Sequence, residues 1–376
     1  GGVASVISSD KWLETGYGIS LQRFLRDYII CVYGQRERSF GADINTVITV
    51  FSKQMRNESM RFTYLDKYGN SEVRRCVTLD KRSLKPGKWF YLRAPKLFME
   101  KILPKLTHKL GDFAKIKRGF TTGANDFFYM KDISHLYEAD YLTNPKKFED
   151  WGVTVKTQRE IEQQGLIYIE NEGREKFVIN RNDVVPFIRR LKYHNEYIIK
   201  ESKHYCLQTQ NPGKYTKKYI HYGENIKIFT KKGSRKEVIG YNNLSTIKNR
   251  NPWYFIPNVK NSYIILSKSI MDRLYVPKSI NLIYCDCNLY YVSPYIDINK
   301  IWLYMNSILF FIINELFGYR MGGGALAMMV QDYQKLLVPD IKNINVDNNT
   351  SILKGKVRKY YEEYNDLKLR EMKVKI

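Results

Sequence analysis

The first fifty residues constrain this chain most. Val3-Ala4-Ser5-Val6-Ile7 reads as a buried strand, Trp12 to Tyr28 as a helix, and Ile44-Asn45-Thr46-Val47-Ile48-Thr49-Val50-Phe51 as a second strand. Leu21, Phe24, Leu25 and Tyr28 fall at i, i+3, i+4 and i+7, the spacing of a helix face that packs on a sheet. One strand–helix–strand piece is too small to enclose a core. The sequence therefore predicts that further strands complete this sheet and that a segment precedes Gly1.

A length of 376 residues predicts two or three domains. The run Ile301 to Phe317 is apolar, but Asn306, Asn314 and Glu315 interrupt it, so it reads as a core helix and no membrane partner is expected. Cys31, Cys76, Cys206, Cys285 and Cys287 show no framework spacing, and Cys285-Asp286-Cys287 is too tight for a zinc knuckle. Free thiols in a cytoplasmic protein are the expectation. The five histidines are scattered, and no metal site is predicted. Lys and Arg number 62 against 38 Asp and Glu, a net charge of +24. A coding bias toward Lys, Asn and Tyr would raise the acids as well, so the excess points to a polyanionic partner, nucleic acid first.

Further along, residues 53–92 alternate polar and apolar between turn signals at Tyr68-Gly69-Asn70 and Lys85-Pro86-Gly87, a pattern of hairpins. Pro95 to Leu110 reads as a connecting helix broken at Pro104. From Asp112 to about Ser293 short strands and turns mix with a few helices, including strands at Phe177-Val178-Ile179, Tyr263-Ile264-Ile265-Leu266 and Leu289-Tyr290-Tyr291-Val292. Ile298 to Phe317 reads as one long helix, and the last thirty residues as a charged helix.

Three blocks carry a family resemblance. The first runs from Gly1 through Lys11-Trp12-Leu13, Gly16-Tyr17-Gly18 and Leu21-Gln22-Arg23-Phe24-Leu25 to Phe40 and Asn45-Thr46-Val47-Ile48. It resembles the second half of a TaqI-like, gamma-class DNA adenine-N6 methyltransferase domain of the restriction–modification type. Asp10 and Gln22 depart from that pattern, which often has Asn and Arg there. The resemblance implies that Phe40 stacks on the adenine flipped out of the duplex, an apolar face replacing its lost neighbours. Arg36 and Arg38 flank it and are candidates for phosphate contacts.

The second block is Lys115-Ile116-Lys117-Arg118-Gly119-Phe120-Thr121-Thr122-Gly123-Ala124-Asn125. It looks like the start of that family's target-recognition domain. Glycines would let the backbone approach phosphate, and Lys115, Lys117 and Arg118 would supply charge. Thr121, Thr122 and Asn125 offer hydrogen bonds to DNA or, alternatively, cap their own backbone. Later stretches resemble the same domain, with a basic loop Lys231, Lys232, Arg235, Lys236 between them and Arg250 before Asn251-Pro252-Trp253. Such a loop suits the DNA backbone or a groove edge, or is simply solvated. The third block, Trp302 to Asn306 with Gly322-Gly323-Gly324 and Val338-Pro339, resembles the close of these recognition domains.

The fold implied is α/β and α+β: a partial Rossmann-like methyltransferase sheet over 1–95, a mixed α/β target-recognition domain over 96–345, and a charged helix over 346–376. The glycine-rich turn that binds S-adenosylmethionine and the catalytic Asn-Pro-Pro-Tyr/Phe segment have no match in this sequence. The resemblance thus implies S-adenosylmethionine and base flipping for an intact parent, and no cofactor for this chain. Double-stranded DNA is the expected ligand. The expected protein partner is the missing N-terminal methyltransferase half or a methyltransferase subunit. A stand-alone, non-catalytic DNA specificity subunit is the alternative, and a basic RNA-binding or structural protein the less favoured one.

Overall fold

The computed structural model describes residues 2–343 except 14, 36–44, 55–56, 67, 72–75, 85, 88, 90–91, 93–97, 195, 231–235, 271–273 and 322–325. The described residues divide into two compact units, those within 1–114, 269–274 and 294–343, and those within 115–268 and 275–293.

A five-stranded sheet opens the first unit, in the order Val3–Ser9, Thr46–Ser52, Ile29–Gln35, Ser59–Leu65, Val77–Asp80. Thr46–Ser52 runs antiparallel to both its neighbours, so Val3–Ser9 and Ile29–Gln35 are parallel to each other. Ile29–Gln35 also pairs in parallel with Ser59–Leu65. A helix, Gly18–Leu25, connects the first two parallel strands. The result is a partial Rossmann-like sheet with a reversed strand inserted, followed by an antiparallel extension where hairpins were expected.

The predicted helix Trp12–Tyr28 is three elements. Asp10–Leu13 is a 3-10 turn, Gly18–Leu25 the helix, and Ile29 already starts a strand. The run Ile29-Ile30-Cys31-Val32-Tyr33 is β-branched and aromatic, and Ile29 and Val32 are fully buried in the sheet. The packing face also differs from the periodicity. Leu25 is buried, but Leu21 and Phe24 are exposed. Gln22 is buried instead: its Nε2 donates to the Trp12 and Leu13 carbonyls at 2.8 and 3.1 Å, and its Oε1 accepts from Gly87 N–H at 2.7 Å. A polar residue thus ties the turn before the helix to the chain beyond the sheet. Trp89 completes this core edge-on to Trp12 at 5.9 Å and to Phe62 at 6.2 Å.

The rest of the first unit is mostly helical. Pro95–Leu110, expected to be a helix, gives a π-turn Phe98–Ile102, a 3-10 turn Leu103–Lys105 and a short strand His108–Lys109 paired with Leu337–Val338. The predicted single helix from Ile298 is two helices, Ile298–Met305 and Ile308–Phe317, bent by 62°. Ser307 causes the break by capping the second: its Oγ accepts from Phe310 N–H at 3.3 Å. Among the described residues no single helix is long and apolar enough to cross a membrane. The glycine run 322–324 and the charged segment 346–376 lie outside the described residues.

A ten-stranded mixed sheet forms the second unit. Its order is Lys176–Asn180, Leu166–Asn171, Tyr129–Asp132, His204–Leu207, Val184–Ile188, Lys278–Cys285, Ser262–Ser267, Leu289–Pro294, Ala114–Arg118, with Ile198–Ile199 alongside Lys278–Cys285. The strands expected at 177–179, 263–266 and 289–292 are all present, the last two paired through Ile264↔Val292 and Leu266↔Tyr290. The helix Lys214–Asn225 packs on this sheet through Tyr219 and Ile220, in a core with Phe127, Phe128, Phe187 and Ile256. A separate two-stranded ribbon, Lys227–Thr230 with Lys236–Ile239, follows the helix.

Candidate nucleic-acid interface

The predicted recognition turn lies between the strand Ala114–Arg118 and the short helix Asn125–Phe128. In that strand Ala114 and Ile116 are buried and Lys115 and Lys117 are exposed. Strand alternation therefore holds both lysines on one solvated face. Arg118 is exposed, but its Nε donates to the Cys287 carbonyl at 2.8 Å, which ties it to the neighbouring turn.

Gly119 sits where the chain passes closest to that turn. Its N–H donates to the Leu289 carbonyl at 2.9 Å, and Phe120 N–H donates to the Cys285 carbonyl at 3.2 Å. A Cβ on Gly119 would press into the Asp286 carbonyl and lie 2.5 Å from the Cys285 carbonyl oxygen. The close approach that requires glycine is thus to protein backbone, not to phosphate.

Thr122 is fully buried. Its Oγ1 donates to Asn125 Oδ1 at 2.6 Å and accepts from Ala124 N–H at 3.2 Å. Of the two expected uses, DNA contact or a cap on its own backbone, Thr122 makes the second. Asn125 is exposed but shares that hydrogen bond, and Thr121 presents an exposed side chain. Gly123 takes φ +84°, the left-handed region that favours glycine.

A second segment staples the turn from outside. Thr246 Oγ1 donates to the Gly123 carbonyl at 2.8 Å, and Arg250 Nη2 donates to the Thr121 carbonyl at 3.3 Å. Arg250 is half-buried with its guanidinium 5.9 Å from the Phe128 ring centre, and burial draws its pKa below the ordinary arginine value. It supports the loop and brings a positive charge beneath it. Thr246 was not legible as a site residue, because nothing in the sequence links it to a turn 123 residues away.

Behind the turn, Asp286 organises the strand connection. Its Oδ1 accepts from Asn288 N–H and Nδ2, both at 2.8 Å, and its Oδ2 accepts from the Tyr129 hydroxyl at 2.7 Å. Burial first, and the Asp286 carboxylate second, push the Tyr129 pKa far above the ordinary tyrosine value. Tyr129 stays protonated and donates at any working pH. Asp286 was hidden between two cysteines; the legible signal was Asp-Cys-Asn, an Asx turn.

Phe40, Arg36 and Arg38, and the loop residues Lys231, Lys232 and Arg235, lie outside the described residues. Lys236 is placed only as the first residue of its strand. Among the described residues no three His, Cys, Asp or Glu side chains converge as a metal site. Cys206 and Cys285 are buried, and burial pushes both thiols well above the ordinary cysteine value.

The family model of the type II methyltransferase M.Eco57I, C-terminal domain, matches residues 167–369. Among solved structures, the chain is similar to the type IIG restriction endonuclease BpuSI, with 13% identity and a TM-score of 0.42 over 95% of this chain and 42% of that one. It is also similar to the ATP-dependent type ISP restriction–modification enzyme LlaBIII bound to DNA, with 12% identity and a TM-score of 0.31 over 94% of this chain and 24% of that one. This chain therefore spans less than half the length of either. No curated protein matches it.

Proposed function

This chain belongs to the family of the C-terminal domain of the type II methyltransferase M.Eco57I, and from that premise we propose that it is the DNA-binding, target-recognition portion of a site-specific adenine-N6 methyltransferase of a restriction–modification system. The observation that carries the reading is the stapled turn 119–125. Lys115, Lys117 and Arg118 lie along its entry strand, Arg250 lies beneath it, and the chain's net charge is +24. Fixed backbone geometry with basic side chains around it is what phosphate positioning requires. Residues 96–345 are assigned to target recognition and 1–95 to the catalytic sheet, in a cytoplasmic protein.

S-adenosylmethionine belongs to this proposal only through the intact parent. At the carboxyl end of Val3–Ser9 the chain turns into Asp10–Leu13, and the Ser9 hydroxyl accepts from Lys11 N–H at 3.3 Å. Gly18, the first residue of the following helix, lies against the Trp12 carbonyl, and Gly16 in the turn has open space beside it. These residues are assigned no part in cofactor binding, and no chemical step is assigned to them.

The first sheet ends on an open edge among the described residues. Val3–Ser9 is an edge strand, paired only with Thr46–Ser52 among the described residues. Val3, Val6 and Ile7 are 58, 46 and 49% exposed, on both faces of the strand. A strand apolar on both faces is built for the interior of an α/β sheet, and an uncovered edge invites pairing. We assign that edge to the preceding methyltransferase half or, on the specificity-subunit reading, to a separate catalytic chain.

Duplex DNA should bind this chain with a steep, linear fall of log affinity against log salt, each neutralised phosphate contributing about −0.9 to the slope. A flat plot would remove the phosphate-tracking surface. In the intact parent, Phe40→Ala should reduce methylation by a larger factor than it reduces DNA affinity, as loss of a base-stacking face requires. Equal losses in a steady-state and a binding assay would assign Phe40 to packing instead.

A further inference from the structure

The ribbon Lys227–Thr230/Lys236–Ile239 has a face that the fold leaves bare. Its register pairs Lys227 with Ile239, Ile228 with Val238 and Phe229 with Glu237. Alternation along the strands therefore puts Lys227, Phe229, Glu237 and Ile239 on one face and Ile228 and Val238 on the other. The inner face is spent: Ile226 and Ile228 pack on the core around Phe127 and Tyr219. The outer face is not. Phe229 is 61% exposed and Ile239 56%.

An isolated two-stranded ribbon is marginal in water, yet this one is fastened at its base. Gly240 N–H donates to the Ile226 carbonyl at 2.8 Å, and Asn243 Nδ2 donates to the Ile239 carbonyl at 2.7 Å. The same connection continues to Thr246 and Arg250, which hold the recognition turn. The acid on the outer face, Glu237, is neutralised by Lys227 at 3.1 Å. The face therefore presents two apolar side chains on a ribbon without net negative charge, in a chain of charge +24.

Width decides which polyanion surface fits. A two-stranded ribbon enters the B-DNA major groove, about 12 Å wide, and not the minor groove of about 6 Å. In the major groove the apolar feature on a base edge is the thymine methyl. We propose that this ribbon lies in the major groove of duplex DNA and that Phe229 and Ile239 are specificity-determining residues that contact thymine methyl groups. The proposal rests on the DNA-recognition reading above and adds to it an element, a groove and a chemical feature.

The test is selection of a bound sequence by this chain from a randomised duplex pool. The enriched duplex is then titrated with thymine and with uracil in its place, which removes only the methyl. The parent chain should lose about fourfold in affinity for each contacted methyl, the worth of one buried methyl group. The variant Phe229→Ala/Ile239→Ala should bind the thymine duplex more weakly, show no thymine–uracil difference, and keep the same salt slope. Phe229→Leu should retain the difference. Both positions are exposed, so thermal melting should be unchanged and should exclude unfolding as the cause. Two results overturn the proposal while leaving DNA binding intact: a double variant that selects the same sequence with the same thymine preference, or a parent chain that sediments as a dimer which the double variant breaks. A parent chain that binds no duplex at all is a different result, and removes the DNA-recognition reading itself.

Discussion

Phe127→Ala should lower the melting temperature by roughly 6–20 °C. Truncating a buried Phe to Ala costs about 3–5 kcal/mol, and each kcal/mol is about 2–4 °C in a unit of this size. Phe127 is fully buried and is the meeting point of the second unit's aromatic side chains. It stacks on Tyr219 at 4.6 Å and 5°, and its ring centre lies 5.1 Å from Tyr241 and 4.9 Å from Trp253. The Tyr219 hydroxyl also donates to the Phe127 carbonyl at 2.6 Å. The helix Lys214–Asn225 approaches so closely that a Cβ on Gly223 would lie 3.0 Å from Phe127 Cδ2 and 3.1 Å from Trp253 Cη2. A site this crowded by rigid rings collapses poorly, which favours the upper half of the range. The position follows the recognition turn directly, so DNA affinity should fall with stability. Calorimetry beside a binding titration checks both. A melting point equal to the parent's would show that the aromatic cluster does not hold this unit together.

That cluster was only partly legible in the sequence. Alternation and β-branching found the strands at 177–179, 263–266 and 289–292, because sheet strands announce themselves locally. The helix at 18–25 was overextended for the same reason: a 3.6-residue period fitted Leu21, Phe24, Leu25 and Tyr28, and nothing local says that Gln22 is the buried residue. Its burial depends on Gly87, which is 65 residues away. The site shows the same division. Lys115 and Lys117 fall on the exposed face that alternation predicts. Thr122 was open between a DNA contact and a cap, and the glycines were read toward phosphate, yet the partners are Asn125 and Ala124 for Thr122 and the 285–286 carbonyls for Gly119. Short polar residues and glycines serve a ligand and a turn equally well by type. Only the neighbours that the fold brings in separate the two uses.

Gly119→Ala separates them experimentally. Its φ is not in the left-handed region, so the obstacle is space alone. The atoms in the way are the Asp286 and Cys285 carbonyls, in a connection that Asp286 pins to Asn288 and Tyr129. Overpacking ordinarily costs about 1–3 kcal/mol, and backbone that cannot rotate aside sets this substitution at the upper end. Gly123→Ala should cost less: it meets the left-handed backbone penalty of about 1–2 kcal/mol, and its neighbours, Ile247 Cγ1 at 3.0 Å and the Thr246 Cβ and carbonyl oxygen at 3.2 Å, stand farther off than the carbonyls that face Gly119. Thr121→Ala, at an exposed side chain, should leave stability unchanged. The expected order of lost stability is therefore Gly119, Gly123, Thr121, with DNA affinity at Gly119 falling in step with the melting point. Were Gly119 a point of phosphate approach instead, affinity would fall while the melting point held. The two readings thus differ in the sign of one comparison: whether loss of binding at Gly119 is accompanied by loss of the fold that positions the turn.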